Sequence, residues 1–128
     1  MAEDSSCLLC GLLDETHDHL FFTCEFSSRC LQLLSDWLSV VIPGQNTVNW
    51  WVSMRFRSLF LKRITGAAIC SLFYQVWHAR NKCLHESVMV VPKIIIQFIR
   101  QVICTRIRHV ISYKLQEKHS RLIRRFMS

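Results

Sequence analysis

A mainly helical domain with a small metal knuckle at its N-terminus is what this 128-residue sequence predicts, on three observations. Apolar residues recur at three- and four-residue spacing through most of the chain, which is the period of a helix face packed on a core. Three glycines and two prolines leave few positions for tight turns. Three of the seven cysteines and two of the six histidines fall within the first 24 residues, in a segment too polar to supply a core of its own. The length suits one domain.

Residues 1–26 read as the knuckle, 27–113 as a helical body that forms one domain with it, and 114–128 as a tail. Ser27 or Ser28 can cap a first helix running to about Val41, with Leu31, Leu34 and Leu38 on one face. Pro43-Gly44 should end it, with a turn through Asn46. A second helical pattern runs from Trp50 to about Cys83, interrupted near Arg57. Within it Ile64, Ala68, Leu72 and Val76 form one stripe and Ile69, Phe73 and Trp77 another, and both are expected to be buried as core and not to serve as a base-stacking platform.

Pro92 stands where a helix accepts proline, in its first turn, and no proline or glycine follows it. A continuous helix to the end is the expectation. Ile96, Ile99, Ile103, Ile107 and Val110 share a face that, extended, reaches Lys114, Lys118, Arg121 and Arg125. Burying unpaired cations costs several kcal/mol each, so the tail from about Lys114 is expected to protrude. Its other side, Leu115, Leu122 and Phe126, would make it a basic amphipathic segment able to meet nucleic acid, a membrane or a protein partner.

Charge is unevenly spread. Residues 1–36 carry seven acidic and one basic side chain, whereas residues 37–128 carry two acidic and fifteen basic, within an overall net charge of +7. A basic body attracts polyanions. The first residues, Met1 to Ser6, have neither the positive start nor the apolar run of a secretory signal, and the cysteine count is odd, so a reducing intracellular setting, nucleus or cytoplasm, is expected. The longest strongly apolar uncharged run, Ile64 to Trp77, has 14 residues, short of the roughly 20 a spanning helix needs.

Cys7 and Cys10 have the two-residue separation that turns both sulfurs toward one ion, and Gly11 follows where the backbone must fold back. His19 and Cys24 complete a C-x2-C-x8-H-x4-C set. Three thiolates and one imidazole suit a single zinc ion, and four protein ligands make a closed, structural site. His17 is the rival for the histidine position; His19 is preferred for its four-residue gap to Cys24. Asp14, Glu15 and Asp18 read as supporting or solvated groups, since carboxylates rarely join thiolate sites. A redox role for Cys7 and Cys10 would expect a strand-and-helix unit that the sequence lacks, and would leave His19 and Cys24 unexplained. Cys30, Cys70, Cys83 and Cys104 lie in apolar helical surroundings and read as small buried hydrophobes. No nucleophile, base and orienting group occur in a recognisable arrangement, so an enzyme is not expected.

These residues resemble a known family. Cys7-Leu8-Leu9-Cys10-Gly11, the run Glu15-Thr16-His17-Asp18-His19-Leu20-Phe21-Phe22-Thr23-Cys24 and then Phe26-Ser27 are similar to the zinc-binding domain that follows the reverse transcriptase in plant retrotransposons lacking long terminal repeats. Val76-Trp77-His78-Ala79-Arg80-Asn81-Lys82 resembles a Trp, Arg-Asn element that follows the zinc motif in that family. The chain departs from the family at Arg29-Cys30-Leu31, where a tryptophan is frequent. It also lacks an Asp-Asp pair for polymerase magnesium ions, and Glu117 is the one acid after Glu86, too few for a ribonuclease H centre. The resemblance implies Cys7, Cys10, His19 and Cys24 as zinc ligands and nucleic-acid binding, RNA or DNA, with Arg55, Arg57, Lys62, Arg63, Lys114, Lys118, Arg121 and Arg125 as phosphate-contact candidates. Two other readings of the sequence are a helical protein-interaction module and a retrotransposon-derived fragment without a selected function.

Overall fold

A computed structural model describes residues 6–11, 14–16, 19–42, 54–109 and 113–127. Among them the order is a single π-helical turn, His19–Thr23, followed by α1 (Glu25–Leu38), α2 (Leu59–Glu86), α3 (Pro92–His109), α4 (Tyr113–Lys118) and α5 (Ser120–Met127). An isolated antiparallel bridge joins Ser6 to Asp14. The expected helical class holds.

α1 buries Cys30, Leu31, Leu34 and Leu38 on the predicted face. It starts earlier than serine capping suggests, because the Ser27 hydroxyl is engaged elsewhere, donating to the Leu20 carbonyl, and Cys24 takes the cap position. It also stops before Val41. Ser39 turns left-handed, with φ 54°, and its N–H donates back to the Asp36 and Ser35 carbonyls, which closes the last turn. The Pro43-Gly44 stop, the turn at Asn46 and the proposed start at Trp50 lie outside the described residues.

α2 begins only at Leu59. Ser58 is extended, and its hydroxyl accepts the Leu61 N–H at 3.1 Å, satisfying one of the amides a helix start leaves open. Residues 54–58 are therefore not helical, which corrects the longer helix expected from periodicity. The stripe Ile64, Ala68, Leu72, Val76 is buried as predicted. The second stripe is buried only at Ile69; Phe73 is partly covered, and Trp77 is 42% exposed. Cys70 is exposed as well, while Cys83 and Cys104 are half-buried and Cys30 alone of the four is fully buried.

α3 opens on Pro92 and buries Ile95, Ile96, Ile99, Ile103 and Ile107. It packs on both α1 and α2. Beyond it the expectation of one continuous, protruding helix fails. The chain breaks into α4 and α5, and α5 folds back on α3 with Phe126 at 0% exposure and Ile123 also buried. The Phe126 ring lies 5.3 Å from that of Trp37 on α1. Gln116 donates to the Ile107 carbonyl at 2.8 Å, and Arg125 donates to the Leu38 carbonyl at 2.8 Å, so the tail closes the C-terminal ends of α3 and α1. Burial of cations was the objection to a packed tail. That objection does not arise, since Ile123 and Phe126 turn inward while Lys114, Lys118, Arg121 and Arg125 stay exposed. Val110, the last residue of the predicted apolar face, lies outside the described residues.

The core runs without interruption from Leu9 and Leu20 beside the knuckle to Phe126. No helix among the described residues is long and apolar enough to cross a membrane.

Candidate metal centre

The knuckle is built from two tight backbone features. Cys7 to Gly11 form one turn, closed by the Gly11 N–H on the Cys7 carbonyl at 2.8 Å, with Gly11 at φ 70°, a conformation that side chains with a Cβ resist. The second is the π turn. Residues five apart on an α-helix stand about 140° apart around the axis, so His19 and Cys24 would diverge on an ordinary turn. Here the Cys24 N–H bonds to the His19 carbonyl at 2.6 Å, the wider i to i+5 loop of a π turn, which brings both side chains to one side. Thr16 starts that turn, its hydroxyl accepting the His19 N–H at 3.0 Å and its carbonyl the Leu20 N–H at 2.8 Å.

The predicted ligand atoms meet. The Cys7, Cys10 and Cys24 sulfurs and a His19 ring nitrogen all lie within 4.8 Å of one another, an arrangement that can hold one metal ion. Cys7 Sγ is 3.7 Å from Cys24 Sγ, and Cys10 Sγ is 3.2 Å from His19 Nε2. Cys7, His19 and Cys24 are buried and Cys10 is partly so. His17 lies outside the described residues. His19 Nδ1 is 3.0 Å from the Thr23 hydroxyl. With its proton on Nδ1 donated to Thr23, the ring presents the Nε2 lone pair to the centre.

Burial pushes the Cys24 thiol up to about 12, the adjacent Cys7 adds to the rise, and the Ser27 and Phe26 amides at the start of α1 oppose it. Thiols in such surroundings stay protonated at neutral pH unless a cation replaces the proton. Cys30 is raised to about 12 for the same first reason, burial, with the Cys24 charge second. It sits outside the ligand cluster and behaves as a packed thiol.

Glu15 lies outside the ligand cluster and is half-buried. Its carboxylate takes three hydrogen bonds from Arg80 on α2, from Nε at 3.2 Å to both oxygens and from Nη2 at 2.9 Å. Arg80 in turn donates to Asn81 Oδ1 at 3.0 Å and stacks on Trp77, 5.1 Å from the ring centroid. Together these contacts, with Phe21 against Phe73 at 5.3 Å, dock the knuckle on α2. Reading the residues one by one missed this pairing; the signal was the co-occurrence of Glu15-Thr16 and Arg80-Asn81 in the family resemblance.

The eight basic candidates are spread over several elements. Arg55 and Arg57 line a cleft with Val40, Val41 and Leu61, whereas Lys62 and Arg63 line another with Arg106 and Leu115. Lys114, Lys118 and Arg121 are exposed on α4 and α5, and Arg125 is engaged at the end of α1. No protein-family model, curated protein or solved structure matches this chain.

Proposed function

We propose that the chain is a structural zinc module of the reverse-transcriptase zinc-binding type, a binding protein and not an enzyme, which engages nucleic acid through its basic surface. The convergence of three sulfurs and one imidazole within 4.8 Å carries this reading. A tetrahedral zinc with Zn–S bonds of about 2.3 Å sets its sulfurs about 3.8 Å apart, and the observed 3.7 Å between Cys7 and Cys24 suits it. Thiolate-rich sets favour zinc over harder cations, and four protein ligands leave no open position for substrate. The family part of the proposal draws support from Glu15 and Arg80, since the two separate stretches that carry the resemblance touch each other.

Nucleic-acid binding rests on the excess of exposed cations in the body, Arg55, Arg57, Lys62, Arg63, Lys114, Lys118 and Arg121. A protein partner held by the tail's apolar side is less well supported, because Phe126 and Ile123 already pack inside and would have to be pulled out. Elemental analysis tests the zinc site: one equivalent in the purified chain, lost in Cys10→Ser and His19→Ala, is expected, and none in the parent would reject it. Titration of single-stranded RNA and duplex DNA at low and moderate salt tests the rest. Affinity that hardly changes with salt would reject phosphate-driven binding.

A further inference from the structure

Four of the eleven exposed large apolar side chains among the described residues gather along one seam. Tyr74 on α2 and Ile94, Phe98 and Val102 on α3 are exposed, by 66%, 53%, 48% and 37%, and all four border the seam where α2 and α3 run side by side. Two adjoining depressions of about 270 and 410 Å³ lie along that seam and share Gln75 and Phe98, so they form one groove. On α2 it extends from Ala67 to Lys82, about 22 Å of helix. Its lining is mostly aliphatic and aromatic, with Gln75 and Ser71 among it, and its cationic side chains stand at the two ends, Lys82 at one and Arg106 at the other. No carboxylate lines it among the described residues.

We infer that this groove is a docking site for an amphipathic helix of a protein partner, about four turns long, with an apolar face and acidic residues toward both ends. Charge decides among the occupants. A second copy of this chain, paired groove to groove about a two-fold axis, would set cation against cation in either orientation, which is repulsive. Nucleic acid carries a phosphate about every 3.4 Å along each strand, and most of those would fall on the apolar stretch between the two cationic ends. A helix with leucine or phenylalanine at i, i+3, i+4 and i+7 fills the floor and brings carboxylates to Lys82 and Arg106. The groove contains none of the metal ligands, and at its Arg106 end it adjoins the cleft lined by Lys62 and Arg63.

The test titrates the full chain with a labelled helical peptide of about 15 residues, apolar on one face and carrying glutamates at both ends. The same peptide with lysines replacing the glutamates serves as comparison, and a labelled single-stranded RNA as competitor. The acidic peptide is expected to bind saturably and about tenfold or more tighter than the basic one. Ile94→Ser with Phe98→Ser should weaken it about tenfold or more, and Lys82→Glu with Arg106→Glu should reverse the preference between the two peptides. Should the serine pair lose helix content by circular dichroism, the charge-reversal pair on the groove ends carries the test. Equal binding of both peptides, binding indifferent to the groove variants, displacement of the acidic peptide by RNA, or a dimer that the serine pair abolishes would each overturn the proposal.

Discussion

Arg80 grips Glu15, 65 positions away in the chain, through two of its nitrogens, and so ties the knuckle to the longest helix among the described residues. The guanidinium is backed by the Trp77 ring and fixed by Asn81, which limits its alternatives. The Arg80 hydrogen bond is the main reason the Glu15 carboxyl titrates below its ordinary 4.5, with the Arg80 charge and the Leu8 amide acting in the same direction and burial against them.

A carboxyl held below its unfolded value stabilises the fold above that value and loses its contribution as pH falls through the folded one. Glu15→Gln should therefore lower stability by about 1 kcal/mol near neutral pH, the size expected of a two-pronged, partly covered pair. The difference between parent and variant should shrink on acidification past 4.5. Urea unfolding of both proteins over that range measures it, and a difference that persists in acid would reject the pairing.

The Thr23 hydroxyl should matter to the metal without touching it. Its contact with His19 Nδ1 sets the ring's tautomer and direction, so Thr23→Val is expected to weaken metal affinity by about 10- to 100-fold while one equivalent still binds at saturation. Competition with a chelator of known affinity reads this directly. Thr23 is exposed, so the packing of α1 should be unaffected.

Phe126 should be a stability residue. It is fully buried beside Trp37, and Phe126→Ala is expected to cost about 3–5 kcal/mol. Arg125→Gln, which weakens the bond to the Leu38 carbonyl at the end of α1, should cost about 1 kcal/mol. A tail free in solution would show neither loss in urea unfolding.

Thr65 presents the opposite case. It sits fully buried within α2, and among the described residues its hydroxyl has no hydrogen-bond partner. Thr65→Val keeps the shape and the β-branch and removes the unmet polar group, so an increase of about 1 kcal/mol in unfolding free energy is expected. A loss of similar size would mean the hydroxyl is satisfied.

What was legible in the residues themselves was whatever depends on short separations. C-x2-C, the histidine and Cys24 lie within one short stretch of chain, and metal chemistry restricts which donors can meet, so the ligand set could be read before any fold was known. Helical period likewise exposed the faces of α1, α2 and α3, because Leu34, Leu72 and Ile103 must each find cover. The π turn was not legible: spacing alone does not say that the four residues between His19 and Cys24 will be wound wider than an α-helix. Nor could local pattern predict that Ser27 would bond to Leu20 and leave Cys24 to begin α1.

Tertiary structure alone decided the rest. Whether Lys114 to Arg125 would protrude or pack was decided by the packing of α5 on α3, with Phe126 beside Trp37 and Arg125 on the Leu38 carbonyl. Glu15 acquired its role only when α2 brought Arg80 across 65 residues of chain. Trp77 stayed 42% exposed, with the Arg80 guanidinium over its ring. Sequence determines which side chains must be covered and which donors can share an ion, since both follow from the chemistry of each residue. Their partners, when distant along the chain, are chosen by packing, where one interhelical arrangement settles many pairings at once.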